Sequence, residues 1–565
     1  MASRTDYSSW EKEDLIKKIK ALEKRKKYGL VWDSAREPEK VVLDCQKELP
    51  VLKEIQEKQI NSRKDDVTHI LIDGDNYHAL SVLNYTHPKM IDVIYIDPPF
   101  NTGNKTWKYN NDYVEQEDLY RHSKWLSFMD KRLRLARDLL SQRGIIIVAI
   151  DDYEHHSLRS LMDDIFKENN RLSTIVVVHN PRGRNDDKYF ATMHEYMLVY
   201  ARNKDNAIVK HFAFTEQDLE QFNKTDEISA YSETSFMRTG NNSDRITRPN
   251  LYYPIYFNEN TKQMALSKER GWIELLPINE KGEEKTWRWG QDTFNENWST
   301  ELLVRKVKGK YRVFKKRRAV NVIGRKPKTV WYNPKYDASS NGIVLLNNIL
   351  GNQHGFPYPK SLYSVKDIIE LVSYPNSIIL DFFAGSGTTG HAVLDLNTAD
   401  AGKRQFILCT NNENNICTEV CHPRLRLVMK GYTSRAGEAI ARLGGNLKYY
   451  TTAFVPAAPT DKNKELLTKQ SIEMLTLKEG TFDKVTDNPS YVIYRNSVKY
   501  TGIIFDQLSF ADFKKAVATV NKPISLYIFS LADDDFSDDF ADLRGLIKIC
   551  AIPESILRVY RRIFK

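Results

Sequence analysis

The sequence predicts an α/β protein with a Rossmann-like, mostly parallel sheet as its core, an inserted domain and a C-terminal α/β domain. Two observations favour this class. Short apolar runs alternate with amphipathic helical segments, which is typical of parallel sheets covered by helices on both faces. The alternation stops near residue 204 and resumes near residue 344, so we expect the sheet to be split around an insertion.

The core strands are predicted from apolar runs, and apolar residues at helical spacing over 121–143 predict a helix between two of them. The first part has predicted strands at His69–Ile72, Ile91–Ile96, Gly144–Ile150, Ser173–His179 and Tyr196–Ala201. The second part has a predicted helix at Ser364–Leu371 and strands at Ser377–Leu380 and Gln405–Cys409.

These elements divide the chain into five predicted segments. Residues 1–65 form an N-terminal helical segment, 66–203 and 341–450 the two parts of the α/β core, 204–340 the insertion, and 451–565 the C-terminal domain. Pro456 and Pro459 indicate that Thr452–Lys464 is a linker.

The composition describes a globular protein of 565 residues, with 41% hydrophobic and 28% charged residues and a mean hydropathy of −0.53. No apolar run approaches the about 18–20 residues that cross a membrane, and the start lacks a signal-peptide layout. Five cysteines, an odd number, argue against a disulfide scaffold and for a reducing cytoplasm. Cys409, Cys417, Cys421 and His422 lack a paired CxxC spacing, so we predict no metal.

The basic excess is confined to one segment. The chain carries a net charge of +10, with 84 Lys and Arg against 74 Asp and Glu. Residues 301–330 hold twelve of these bases and one acid, a net +11, so the other 72 bases and 73 acids leave −1. Interleaved β-formers and a turn at Gly309 predict a basic ribbon along the phosphates of a nucleic acid, or else a solvated linker. The residues predicted to make these contacts are Arg312, Lys315, Lys316, Arg317 and Arg318.

The first candidate motif is Asp97-Pro98-Pro99-Phe100, directly after the predicted strand Ile91–Ile96. Carboxylates at the carboxyl ends of parallel strands lie where open α/β sheets bind ligands. Two prolines restrict the backbone, so we expect Asp97 and the Pro98 carbonyl to be held rigidly. An ordinary acidic turn is the alternative.

The second candidate motif follows a predicted strand and opens a helix, so its small residues and free N–H groups suit a ligand. It lacks the Lys-Ser/Thr of a P-loop and the spacing of a dinucleotide fingerprint, which favours a nucleoside-like cofactor over an ordinary turn. A carboxylate or amide after the next strand would hold the ribose, and Asn411, Asn412 and Glu413 follow that strand. The motif comprises Asp381, Phe382, Phe383, Ala384, Gly385, Ser386, Gly387, Thr388 and Thr389.

Together these motifs resemble those of the S-adenosylmethionine-dependent amino-methyltransferases of DNA. Residues 97–100 match the catalytic (D/N/S)PP(Y/F/W) motif, and Phe383–Gly387 matches the cofactor motif FxGxG. The catalytic motif comes first, with a variable insert between the two, which is the β-class order. Further segments, among them Arg121–Trp125 and Asn411–Asn415, resemble modification subunits of type III restriction–modification systems.

The resemblance implies S-adenosylmethionine as cofactor and adenine N6 as methyl acceptor. Asp97 and the Pro98 carbonyl would accept the amine N–H groups, and Phe100 would stack on a base flipped out of the duplex. Asp75 would contact the cofactor adenine, or else only cap a helix. Lys360 lies in a segment that would close over the methionine end, or else in a plain turn.

The resemblance also implies double-stranded DNA as substrate, a homodimer, and a partner restriction subunit with helicase and nuclease activity. The chain contains no P-loop sequence, so ATP-driven translocation would need that partner. Two other functions remain alternatives. One is a DNA cytosine-N4 or RNA adenine methyltransferase, and the other is a DNA-binding specificity subunit that mainly targets a nuclease.

Overall fold

The computed structural model describes residues 11–23, 39–63, 66–102, 104–109, 112–115, 120–184, 187–532 and 534–564. The chain divides into two compact units. Residues 1–210 and 328–565 belong to the first, here the core unit, and residues 211–327 to the second, here the inserted unit. The finer division into five segments stays a prediction.

The first stretch of the core unit alternates strands and helices. Its helices are α1 (Lys12–Glu23), α2 (Lys40–Asp44), α3 (Asn76–Thr86), α4 (Arg121–Leu139) and α5 (His155–Met162). Its strands are β1 (Glu48–Glu54), β2 (Thr68–Asp73), β3 (Ile91–Ile96), β4 (Asn104–Tyr109), β5 (Asp112–Glu115), β6 (Leu140–Ile150), β7 (Arg171–Val178) and β8 (His194–Ala201). Every residue of β3 is buried, as expected for a strand covered on both faces.

The inserted unit contains two small antiparallel sheets around an aromatic core that includes Phe236, Trp287 and Phe294. Its elements are α6 (Glu216–Glu220), α7 (Gln291–Glu301), β9 (Lys224–Thr225), β10 (Ala230–Ser235), β11 (Ile255–Phe257), β12 (Met264–Ala265), β13 (Ile273–Leu275), β14 (Leu302–Val307) and β15 (Lys310–Arg318). The β14–β15 hairpin covers residues 302–318 of the basic segment, and Gly309 in its turn has a φ of +80°. A positive φ favours glycine there.

The second stretch of the core unit completes the main sheet and adds a five-stranded C-terminal sheet. Its helices are α8 (Leu345–Leu350), α9 (Leu362–Val372), α10 (Thr388–Asp400), α11 (His422–Lys430), α12 (Asp461–Gln470), α13 (Ile472–Glu479), α14 (Phe510–Val517) and α15 (Glu554–Ile563). Its strands are β16 (Val330–Trp331), β17 (Ile378–Asp381), β18 (Gln405–Thr410), β19 (Tyr432–Thr433), β20 (Ala439–Ile440), β21 (Asn446–Pro456), β22 (Asp483–Asn488), β23 (Tyr491–Arg495), β24 (Tyr500–Ile504), β25 (Ile524–Phe529) and β26 (Ile547–Ile552). None of the helices in the described ranges is long and apolar enough to cross a membrane.

Within the described residues, the main sheet has ten strands in the order β1-β21-β2-β18-β17-β3-β6-β8-β7-β16. The six strands from β21 to β6 are parallel, which confirms the predicted mostly parallel α/β fold. Because β8 runs antiparallel to β6, its first residues lie at the edge where the parallel strands end. The carboxyl edge, as we call it, therefore collects residues from strands far apart in the sequence.

Two sequence-based expectations are wrong at the edge of this sheet. The predicted linker Thr452–Lys464 is β-strand up to Pro456, and β21 pairs with both β1 and β2. The predicted N-terminal helical segment contains β1, which joins the sheet at its margin. Pro50 within β1 argues against a central strand, but an edge strand tolerates proline because one side of its backbone needs no partner.

Arg132 on α4 connects Glu39, the residue before α2, to α3 and α4. Its guanidinium is fully buried and donates to both carboxylate oxygens of Glu39, at 3.0 and 2.8 Å. It also donates to Asn76 Oδ1 and to the Phe128 carbonyl. A buried arginine satisfied in this way is costly to unpair.

We therefore expect Arg132→Ala to lower the free energy of unfolding by about 3–5 kcal/mol, because it leaves the Glu39 carboxylate buried and unpaired. Arg134→Ala on the same helix removes only half-exposed ion pairs with Asp130 and Asp164, and should cost at most about 1 kcal/mol. Urea denaturation of both variants measures the difference. Equal losses would contradict a structural role for the Arg132–Glu39 pair.

Candidate active site at the carboxyl edge

The two motifs meet because their strands are neighbours. β17 pairs with β3 in parallel, with Leu380 opposite Ile94. Asp97 directly follows β3, and Asp381 is the last residue of β17. Both carboxylates thus lie at the carboxyl edge, although 283 residues separate them in the sequence. This is where open α/β sheets bind ligands.

Asp97 is connected to Glu195 through Lys360, which contacts both carboxylates. Lys360 Nζ lies 3.1 Å from Asp97 Oδ1 and 2.8 Å from Glu195 Oε2. Glu195 is buried at the start of β8 and Lys360 is nearly buried, so solvent screens these pairs weakly. Lys360 thus orients the Asp97 carboxylate, and Glu195 orients Lys360.

Burial raises the pKa of Asp97 to about 6, and Lys360 lowers this pKa while Glu195 raises it. Burial opposes the charged form of Lys360, but Asp97 and Glu195 outweigh it and raise the Lys360 pKa above its usual value. Burial likewise raises the pKa of Asp151, which follows β6, to about 7. The edge therefore holds carboxyl groups that titrate near neutral pH.

The acid-proline motif is held from two sides. Trp125 on α4 is buried and donates its indole N–H to the Pro99 carbonyl at 2.7 Å. Asn101, next along the chain, donates to the buried Glu154 carboxylate at 2.5 Å. Pro98 is buried, and the half-buried Phe100 ring has Lys360 Nζ 4.5 Å from its centroid. The motif therefore presents Asp97 and Phe100 on a braced backbone.

The glycine loop is braced by its own first residue. Asp381 accepts the Phe383 N–H at 2.9 Å and the Thr389 hydroxyl at 2.6 Å, and burial raises the Asp381 pKa to about 7. Gly387 has a φ of +78°, and a Cβ there would lie 3.1 Å from Cys421 Sγ. The loop thus needs glycine at this turn, since other residues adopt such a φ at a cost.

Arg424 on α11 closes the loop from behind, and no sequence pattern pointed to it. It is fully buried, and its guanidinium donates to the Ser386 carbonyl and hydroxyl at 3.3 and 3.1 Å, and to the Thr388 hydroxyl at 2.8 Å. Burial lowers the pKa of Arg424 to about 10. These hydrogen bonds attach Ser386 and Thr388 to Arg424 and so fix the position of the loop.

A cavity of about 1170 Å³ opens at the carboxyl edge. Of the predicted site residues, those that line it are Pro99, Asp75, Phe382, Phe383 and Asn411. The described lining does not include Asp97, Pro98, Phe100, Lys360, Asp381, Ala384, Gly385, Ser386, Gly387, Thr388 or Thr389. Asp97, Pro98, Phe100 and Lys360 form or adjoin the acid-proline motif, and the others belong to the loop that carries Phe382 and Phe383.

The cavity wall also contains residues that sequence reasoning missed, such as Arg132, His354 and Tyr358. Asp75 is the N-cap of α3, where its carboxylate accepts the Tyr77 N–H at 2.7 Å, and it also faces the cavity. The two interpretations of Asp75 are therefore compatible. The lining residues that precede α9, such as His354 and Tyr358, belong to no sequence motif, so only the folded chain shows that they line the cavity.

The predicted DNA-binding residues of β15 differ in their surroundings. Arg318 is buried and pairs with Asp226 and Glu301, at 2.7 and 2.6 Å, so its prediction as a DNA contact is wrong. Lys316 pairs with Asp226, and Arg312 donates to the Ile278 carbonyl. Lys315 lies over the Trp289 ring, and Arg317 is exposed and bonds only a neutral side chain among its described hydrogen-bond partners.

The fold and the two motifs at one edge define a Rossmann-like methyltransferase core. A family model described as DNA methylase, of the N6/N4 type, matches residues 91–419. Because this match covers more than half of the chain, the protein belongs to the N6/N4 DNA methylase family.

Curated relatives share part of the chain. The EcoPI Mod subunit of a type III restriction-modification enzyme, from Escherichia phage P1, is 32% identical over 388 residues, covering 63% of this chain and 59% of the relative. The type II methyltransferase M.KpnI of Klebsiella pneumoniae is 35% identical over 362 residues, covering 63% and 84%. The M1.HpyAVI–SAM complex, a solved structure, covers 63% of this chain and 100% of its own at 15% identity, with a TM-score of 0.28.

We predict that Arg318 stabilises the inserted unit. Arg318→Met should lower the melting temperature of this unit, because it leaves Asp226 and Glu301 without their buried partner. Arg317→Met removes an exposed side chain and should change stability by less than about 0.5 kcal/mol. Scanning calorimetry compares the two variants. Unchanged melting in Arg318→Met would show that the pair contributes nothing.

Proposed function

We propose that this protein is a site-specific DNA methyltransferase that transfers a methyl group from S-adenosylmethionine to adenine N6. The observation that carries the proposal is the orientation of Asp97 by Lys360 beside a large cavity that Pro99 lines. The relatives support it, since their names describe methyltransferases and modification subunits.

The cavity has the composition that this cofactor requires. Among the described residues that line it, six are carboxylates and three are Lys or Arg: Glu39, Asp44, Glu48, Asp75, Glu413 and Glu419 against Lys40, Lys47 and Arg132. S-adenosylmethionine carries a sulfonium, an ammonium and one carboxylate, and no phosphate, so an acid-rich wall favours it over a nucleotide. Asp75 and Asn411 would hold its hydroxyl and amine groups, and Phe382 and Phe383 its apolar surface. When bound, it supplies an electrophilic methyl group.

The acid-proline motif would prepare the acceptor. The exocyclic amine of adenine is a poor nucleophile, because its lone pair is delocalised into the ring. Asp97 and the Pro98 carbonyl would accept its two N–H groups, which favours a pyramidal nitrogen and stabilises the charge that develops there. As the amine becomes substituted, Asp97 is placed to take the released proton. Phe100 would stack on the base, which must leave the duplex to reach the site.

Adenine N6 is our choice over cytosine N4 because the first motif position is Asp97, as in the adenine enzymes that the sequence resembles. Duplex DNA is the proposed substrate. A homodimer, a restriction subunit with helicase and nuclease activity, and a cytoplasmic location complete the proposal, by likeness to the Mod subunits.

The direct test is nucleoside analysis of DNA and RNA incubated with this protein and labelled S-adenosylmethionine. We expect labelled N6-methyl-2′-deoxyadenosine from DNA and no labelled nucleoside from RNA, and a loss of about 100-fold or more in Asp97→Ala. Binding of the cofactor and DNA should persist in that variant, since Asp97 lies outside the cavity lining. N4-methylcytosine as the sole product, or DNA binding without methylation by the unmodified protein, would overturn the proposal.

The contacts of Lys360 with Asp97 and Glu195 predict that two substitutions shift the pH dependence of activity in opposite directions. We expect kcat/KM to fall about tenfold per pH unit below about pH 6, because protonated Asp97 accepts the amine poorly. Lys360→Met removes the charge that lowers the Asp97 pKa, so this limb should move to higher pH. Glu195→Gln removes the charge that raises it, so the limb should move to lower pH. Shifts in the same direction would contradict this arrangement.

The cations of β15 that have no described ion pair predict the salt dependence of DNA binding. Replacing Lys310, Lys315 and Arg317 together by alanine should weaken binding and reduce the slope of log K against log salt by about 0.9 for each phosphate that these cations neutralise. Lys515→Ala, on α14 in the core unit, is the control. Titration at several salt concentrations measures the slope, and an unchanged slope would mean that β15 does not contact phosphates.

A further inference from the structure

The loop between β7 and β8 carries two adjacent aromatic side chains in solvent. Tyr189 is 81% exposed and Phe190 is 90% exposed. Two large apolar rings side by side at the surface mark a contact site more often than a single exposed residue does. Nothing in the proposed chemistry at Asp97 uses them.

The described part of this loop is braced rather than loosely attached. The Asn180 N–H donates to the Met193 carbonyl at 3.1 Å, and the Arg184 N–H donates to the Thr192 carbonyl at 3.2 Å, which extends the β7–β8 hairpin. The Asp187 carboxylate accepts the Thr192 N–H at 2.7 Å. The hairpin tip, defined as residues 187–191, therefore presents its rings on a supported backbone.

The hairpin tip lies at the carboxyl edge. Glu195 follows Phe190 by five residues, so an extended chain would separate them by at most about 18 Å. Glu195 in turn connects to Asp97 through Lys360, by contacts of 2.8 and 3.1 Å. The exposed rings therefore lie on the same side of the sheet as the proposed acceptor site.

Cations flank the two rings. Arg182, Arg184 and Lys188 are exposed, and Lys188 Nζ lies 5.3 Å from the Tyr189 ring centroid. The Asp187 carboxylate, the nearest described acid along the chain, is occupied by the Thr192 N–H and hydroxyl, which lower its pKa. Aromatic rings beside exposed Arg and Lys suit bases beside phosphates, and thus favour a nucleic acid over the apolar face of a second protein.

We infer that Tyr189 and Phe190 insert into the DNA base stack beside the target adenine and fill the space that the flipped base leaves. The inference rests on the proposed function, which requires the base to leave the duplex. Proteins insert apolar side chains as wedges between base steps, and stacking of a base on an aromatic ring offsets part of the cost of unstacking. Arg182, Arg184 and Lys188 would hold the neighbouring phosphates.

The test compares two substrates for the double variant Tyr189→Ala/Phe190→Ala. Once the methylated site is mapped in DNA from expressing cells, one duplex carries the target adenine paired and another carries it opposite an abasic site. We expect a loss of about tenfold or more in kcat/KM on the paired duplex and less than about threefold on the abasic one, because an unpaired base costs less to extrude. Leu508→Ala, 93% exposed on the C-terminal sheet domain, is the control and should behave as the unmodified protein.

Equal losses on both duplexes, or no loss, would overturn the inference. If the double variant lost activity equally on both duplexes and also lost self-association in sedimentation, the rings would contact a second copy of the chain and not DNA. Unchanged melting temperature and S-adenosylmethionine affinity exclude misfolding.

A second measurement separates this inference from the proposed function. 2-Aminopurine at the target position brightens when it leaves the stack, whether or not methylation follows. Brightening with the unmodified protein and its loss in the double variant would support the inserted rings even if no methyl transfer occurred. Equal brightening with both proteins would reject the rings while leaving the methyltransferase activity standing.

Discussion

The parallel pairing of β3 with β17 is the constraint on which the site depends. It places the residue after β3, Asp97, beside the last residue of β17, Asp381, and so joins two motifs that the inserted unit separates in sequence. The entropic cost of closing so long a connection grows only slowly with its length. The backbone hydrogen bonds and buried apolar side chains of both strands can therefore offset the entropic cost of the insertion.

Burial at the carboxyl edge has an electrostatic consequence. Asp97, Asp151 and Asp381 all have pKa values raised by burial, so each is destabilising when ionised unless a partner compensates. These folded-state pKa values lie above the ordinary value of 3.8, so the associated stability is present at low pH and is lost as the pH rises from about 4 to about 6–7. At Asp97, the charge of Lys360 offsets part of the free-energy cost of burying an ionised carboxylate.

Much of the site could be predicted because its chemistry is local. Asp97 to Phe100 follows an apolar strand, and residues 381–389 follow another and open a helix, so each motif is readable from its neighbours. Glu195 and Arg424 were missed because each acts across the fold on residues more than 30 positions away. Arg318 was misread because a count of basic residues does not show that Asp226 and Glu301 enclose it.

By itself the sequence determined the α/β class, the order of the two motifs and the concentration of positive charge between residues 301 and 330. These follow from periodicity and composition, which act over a few residues. The tertiary structure alone decided that β1 and β21 extend the main sheet, which strand neighbours which, and which charges are buried against one another. Those outcomes depend on strand pairing and burial between distant residues, and no local pattern specifies either.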